Sequence, residues 1–134
     1  MSELSVDLVA ADRAIWSGKA RLVIARTLVG DIGVMPGHEP VLATLADSVV
    51  VVRADEGDQV FAVHGGFMSV SNDVVSLLAE TAELAEEIDV ARARAALLLA
   101  QEKAAGVEEP DESLLESERR AEIRLRAAEA HLGH

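Results

Sequence analysis

Residues 74–96 read V-V-S-L-L-A-E-T-A-E-L-A-E-E-I-D-V-A-R-A-R-A-A, and within them the hydrophobic period changes. From Val74 to Leu78 the side chains suit a strand. After Glu83 the β-branched residues nearly vanish, and Ala, Leu, Arg and Glu take over, which is the composition of a helix. The chain therefore divides near residue 84 into a β half and an α half. This is a segregated α+β architecture with expected domains 1–84 and 85–134.

Toward the N-terminus, apolar residues recur mostly at every second position: Leu4, Val6 and Leu8, then Ala20, Leu22 and Ile24, then Val60 and Ala62. That alternation marks strands with one buried face. Turn-forming residues divide the runs at Ser17-Gly18, Ala54-Asp55-Glu56-Gly57-Asp58, Gly65-Gly66 and Ser71-Asn72-Asp73. Short strands at this spacing predict a β-sandwich or barrel. The unbroken Val49-Val50-Val51-Val52 predicts a strand covered on both faces.

Toward the C-terminus, Asp89 is placed to cap a helix whose apolar stripe is Val90, Ala93, Leu97, Ala100 and Ala104, with Gly106 ending it. Pro110 and the capping-box pattern Ser113-Leu114-Leu115-Glu116 predict the start of a second helix. Its stripe is Leu114, Ala121, Leu125, Ala128 and Leu132. The linker at 106–110 is short enough to fold the pair into an antiparallel hairpin. Alanine-rich stripes bury little apolar surface, so the hairpin is expected to be held weakly and to be able to undock.

The 134 residues are half apolar but only 2% aromatic, so the core must be aliphatic around Trp16, Phe61 and Phe67. Formal charge is −12, negative in both halves, which argues against binding nucleic acid or inserting directly into an anionic lipid surface. The absence of cysteine excludes disulfides, thiolate catalysis and cysteine-based zinc sites. No apolar run approaches the roughly 20 residues needed to cross a bilayer, and the N-terminus lacks the pattern of a signal peptide.

No P-loop and no Rossmann glycine fingerprint occurs. His64-Gly65-Gly66 resembles an esterase oxyanion loop, yet no nucleophile elbow accompanies it, and a strand bulge or tight crossing is the simpler reading. His131 and His134 stand three apart, as metal ligands on one helix face can, but at a chain end where fraying is expected; no metal site is assigned. His38, with Asp31 and Glu39 nearby, can be drawn as an acid-base group or as a surface residue on a loop. Beyond Arg53, every basic residue lies in the helical half: Arg92, Arg94, Lys103, Arg119, Arg120, Arg124 and Arg126. Facing arginines can grip a phosphate chain, or they can balance Glu112, Glu116, Glu118 and Glu122 along the helix.

The stretch at 30–42, G-D-I-G-V-M-P-G-H-E-P-V-L, is the most specific motif in the chain. Together with Trp16-Ser17-Gly18, Gly65-Gly66-Phe67, Leu77-Leu78-Ala79-Glu80-Thr81-Ala82 and Ile88-Asp89-Val90-Ala91-Arg92-Ala93, it resembles the epsilon subunits of bacterial F-type ATP synthases over nearly the full length. The resemblance implies an antiparallel β-sandwich of about ten strands followed by a two-helix hairpin. It implies a non-catalytic rotor subunit of the central stalk that couples proton translocation to ATP synthesis and restrains ATP hydrolysis through the hairpin. The implied partners are the gamma subunit, the c-subunit ring and the alpha and beta subunits, at the cytoplasmic face of the bacterial membrane. Asp31 and His38 would face gamma and the c ring.

No cofactor is required by the resemblance, but a regulatory ATP is implied, because Ile88, Asp89, Arg92 and Ala93, with Glu83, match a motif through which some members bind it. Arg119, Arg120, Arg124 and Arg126 are the candidates to complete that site. The chain departs from the pattern in having Leu97-Leu98-Leu99 late in the first helix and an acidic linker before the second. Two other functions are weighed beside the rotor subunit: a stand-alone nucleotide or anion sensor built on the arginine hairpin, and a small hydrolase around His38 or His64.

Overall fold

The computed structural model describes residues 3–132. Eight strands come first: β1 (Leu4–Ala10), β2 (Ala14–Ala20), β3 (Leu22–Thr27), β4 (Gly30–Val34), β5 (Val41–Thr44), β6 (Ser48–Ala54), β7 (Gly57–Ser71) and β8 (Val74–Leu84). A 3₁₀ turn (Ala85–Glu87) then leads to α1 (Val90–Ala105) and α2 (Glu112–Leu132).

The strands hydrogen-bond in the order β2-β1-β8-β7-β6-β3-β4, with β5 also on β7. Two long strands explain why eight do the work of the ten expected. The first half of β7 pairs with β6 and its second half with β5, while β8 pairs with β7 from Phe61 to Ser71 and only the first half of β8 meets β1. One layer is thus β2, β1, early β8, late β7 and β5; the other is β4, β3, β6, early β7 and late β8. Core residues come from both layers: Leu4, Leu8, Met68 and Leu77 from the first, Val23, Val34, Val50 and Phe61 from the second. Trp16 reaches across from β2 to Phe61, with ring centroids 6.2 Å apart. The layers face each other as a sandwich. One pair departs from the antiparallel expectation, since β1 and β8 run parallel.

β7 changes partner at Gly65-Gly66, which stands among the turn-forming breaks in the sequence but reads most simply there as a bulge or tight crossing. The chain does not turn there. Gly66 has φ +120°, and a Cβ on it would land on the carbonyl of Leu78, so the glycine permits a close crossing within a continuous strand. Ser17-Gly18 is likewise no turn but lies inside β2. The Trp16 ring covers Gly18 so closely that a Cβ would sit 2.8 Å from it. The expected turns at 54–58 and 71–73 do form, the second with Asn72 and Asp73 at φ 52° and 62°, as a two-residue hairpin requires.

Asp89 caps α1 as expected, accepting from the Arg92 backbone N–H at 3.1 Å, and Gly106 follows the last turn. The cap of α2 is Asp111 rather than Ser113. Its carboxylate accepts from the Leu114 backbone N–H at 3.0 Å, and Ser113 lies inside the first turn. Asp111 follows Pro110 directly, so the short acid captures the Leu114 amide and starts the helix two residues before Ser113 would.

The hairpin lies on the outer face of the second layer. Val60 and Ala62 of β7 form a second apolar cluster with Ala85, Ile88, Ala93, Ile123, Ala127 and Ala128, and Val49 and Val51 of β6 pack against it. This is the second cover that the four-valine run predicts: Val50 and Val52 point into the sandwich, Val49 and Val51 toward the helices. α2 is the helix on the sheet, and α1 packs chiefly on α2. Burial on α2 is therefore two-sided, with Ile123 and Ala127 buried in addition to the expected Ala121 and Ala128.

Candidate functional site

The candidate nucleotide residues start at the junction of sandwich and hairpin. Ile88 and Ala93 are buried in the cluster between sheet and helices, so their side chains serve packing. Glu83, near the end of β8, meets Arg124 of α2, whose Nε stands 3.1 and 3.2 Å from its two carboxylate oxygens. Asp89 is occupied as the α1 cap.

The remaining arginines disperse. Arg119 approaches Asp47, between β5 and β6, at 3.8 Å. Arg120 and Arg126 hold Glu116 and Glu122, four residues before each on α2, at 2.8 and 2.7 Å. Among the described residues, Arg92 alone of the five candidates has no carboxylate partner. A triphosphate gripped by the α2 arginines would have to displace a carboxylate at each. Of the possible metal pair, His134 lies outside the described residues; no cluster suited to a metal occurs among those described.

Half of the 30–40 motif is strand. Asp31 sits in β4 opposite Arg26 of β3 and accepts from its Nε at 2.9 Å. A cleft of about 310 Å³ brings Asp31 and Arg26 together with Asp47, Ser48, Val49, Ile123 and Arg126 under α2. His38 lies beyond the far end of β4, its ring Nδ1 2.7 Å from the Glu39 carbonyl, in a loop whose backbone makes two further contacts. Its backbone N–H donates to the Met35 carbonyl at 3.1 Å, and the Gly37 N–H donates to the Asp73 carboxylate at 2.7 Å. Gly37 takes φ +90° to make that turn. Asp31 and His38 thus sit at opposite ends of one strand.

The least expected surface is the outer face of the first layer, opposite the helices. Val9, Leu78 and Phe67 are cross-strand neighbours there on β1, β8 and β7, all exposed, with Phe67 and Leu78 more than half open to solvent. Leu42 on β5 is 75% exposed, and Leu28 and Val29 at the β3–β4 tip line a cleft with it. Alternation alone does not find this face. The available signal was the apolar doublets Leu8-Val9, Phe67-Met68 and Leu77-Leu78, in which one member enters the core and the other must point out.

The ATP synthase delta/epsilon chain beta-sandwich domain family matches residues 3–85, and proteins named ATP synthase epsilon chain match nearly the whole chain. The chain belongs to the ATP synthase delta/epsilon family. The epsilon chain of Streptomyces griseus is 55% identical over 94% of this chain and 95% of its own length. That of Thermobifida fusca is 53% identical over 96% and 93%. A chain in the Euglena gracilis mitochondrial ATP synthase structure, which comprises OSCP, F1 and c-ring, superposes with TM-score 0.73 at 27% identity, covering 99% of this chain and 81% of that one. A chain of the Tetrahymena thermophila central stalk and c-ring structure shares the fold, with TM-score 0.59 at 14% identity over 97% and 96%. The similarity to the named epsilon chains spans sandwich and hairpin together. No described helix is long and apolar enough to cross a membrane.

Proposed function

We propose that the chain is a non-catalytic central-stalk subunit of an F-type ATP synthase. It turns with gamma and the c ring at the cytoplasmic face of the membrane and couples proton flow to ATP synthesis. Relatives named as epsilon chains along nearly the full length support this reading, as does a structural neighbour in an assembly with F1 and c-ring. The observation that carries it on this molecule is the open Val9–Leu78–Phe67 row, three exposed apolar side chains adjacent across the strands, which suits a protein partner rather than water. Asp31 and His38 serve as polar contacts at the two ends of β4.

The hairpin is the regulatory part in this reading. Docked, its α2 arginines are occupied by carboxylates. Released, Arg119 and Arg124 leave Asp47 and Glu83 behind and are free to meet acidic surfaces of alpha and beta and so restrain hydrolysis, while Arg120 and Arg126 keep their partners on α2. ATP acts as a weak regulatory ligand that favours the docked hairpin, its affinity limited by the carboxylates it must displace.

The experiment is to tag the chain in its own organism and purify it from gently solubilised membranes. Alpha, beta, gamma and c subunits are expected to accompany it, and Phe67→Glu with Leu78→Glu is expected to abolish that recovery while the purified variant keeps its fold. Recovery of the parent chain alone, from the soluble fraction, would overturn the reading.

A further inference from the structure

We propose that His64 makes the docking of α2 depend on pH: neutral, it is covered by the helix, and protonated, it drives α2 off the sheet. The geometry begins with strand parity. Along β7, Phe61 and Val63 point into the sandwich, while Val60 and Ala62 point outward beneath α2. His64 continues the outward series, paired across to Thr81 on β8. It is only 6% exposed, and its Nδ1 is the one buried side-chain nitrogen or oxygen without a hydrogen-bond partner among the described residues.

The charged groups around it come from three elements. Asp47 faces it from the segment between β5 and β6, Glu83 from β8, and Arg120 and Arg124 from α2. Both carboxylates already hold cations, since Glu83 binds Arg124 and Asp47 lies near Arg119. An imidazolium formed here would be buried without a dedicated acceptor and beside two guanidiniums that belong to the helix above it. The sandwich has its own core on the other face of β7, so the separable element is the hairpin.

Burial holds the His64 pKa below its ordinary value, and Arg120 and Arg124 push the same way against Asp47 and Glu83. With α2 off the sheet, His64 faces water and titrates near the usual ~6.5. The docked state therefore binds the proton less readily than the undocked state. Docking is strongest above that value and is lost as pH falls from it toward the depressed docked value. Within that interval the docked-to-undocked ratio falls by up to about tenfold per pH unit, the limit for one proton.

The chain has no cysteine, so two exposed sites can be labelled cleanly: Glu56→Cys on the β6–β7 turn and Glu129→Cys on α2. Spin labels there report the distance between sandwich and helix in the full chain. At about pH 8 one docked distance is expected, with a longer population growing below about pH 6.5. His64→Gln should remove that growth. An unchanged distribution down to about pH 5, or the same acid response in His64→Gln, would overturn the proposal. Should His64→Gln fail to fold, Arg120→Gln decides the matter from an exposed position. With one facing cation gone, the transition should move to lower pH, and an unmoved transition would count against the mechanism.

Discussion

Arg124 on α2 reaches both carboxylate oxygens of Glu83 on β8, and this ion pair spans the seam between a strand that belongs to the sandwich and the helix packed against it. Each partner is about one-third exposed, so the pair is partly screened. Its role is to set position more than to supply stability.

Glu83→Gln should weaken docking by about 0.5–1 kcal/mol, the range for a partly solvated pair. Hydrogen exchange of α2 amides should quicken roughly two- to fivefold while β-strand amides stay unchanged. Equal exchange in both proteins would show that the pair contributes nothing to docking.

Ala127 is fully buried in the cluster beneath which Val60 and Ala62 lie. Ala127→Leu should overfill that contact and cost about 1–3 kcal/mol, borne by the hairpin. Trp16 packs on Phe61 inside the sandwich, so its fluorescence should not move while α2 becomes protease-sensitive. A coordinated change in both signals would mean that sandwich and hairpin unfold as one unit.

Asp111→Ala removes the α2 cap and should destabilise that helix by about 1 kcal/mol, whereas Ser113→Ala should cost no more than a few tenths. Thermal unfolding followed by helical circular dichroism separates the two. The opposite ranking would restore the capping box that sequence alone favours.

Gly66→Ala should be among the most damaging substitutions in the chain, since it combines a positive φ with a collision against the Leu78 carbonyl. Loss of about 3 kcal/mol or more is expected, seen as failure to recover soluble protein or as a collapsed unfolding midpoint. Gly30→Asn is the control, because at φ +134° nothing crowds its Cβ, and it should be milder.

Removal of residues 105–134 from the assembled complex should raise ATP hydrolysis without preventing assembly, according to the role proposed for the hairpin. The same deletion uncovers Val49, Val51, Val60 and Ala62, so the isolated variant should associate more readily. Unchanged hydrolysis would remove the brake from the proposed function.

The two-half division was legible because period 2 and period 3.6 leave different marks, and Val49-Val50-Val51-Val52 announced a strand with two covers. What escaped was the role of particular glycines. Gly18 reads as punctuation but makes room for the Trp16 ring, and Gly66 reads as a bulge or tight crossing without revealing that the backbone it admits is that of Leu78, distant in sequence. Arg124 and Glu83 were both singled out, yet as joint ligands of a nucleotide rather than of each other. Their separation along the chain hid a pairing that only the docking of α2 creates. His64 was weighed for catalysis through its neighbouring glycines, whereas its parity on β7 is what places it beneath the helix.

The layering of sheet, α2 and α1 has a consequence for synthesis on the ribosome. The helix that touches the sheet is the later of the two to emerge. β6 and β7 are made with one apolar face that waits for Ile123, Ala127 and Ala128, and at about 5–20 residues per second that wait lasts several seconds. During it the nascent chain offers a bare valine-rich surface, with α1 already present but lacking its main partner. Chaperone occupancy should therefore peak on ribosome-bound chains after β7 has appeared and fall once α2 has emerged and docked.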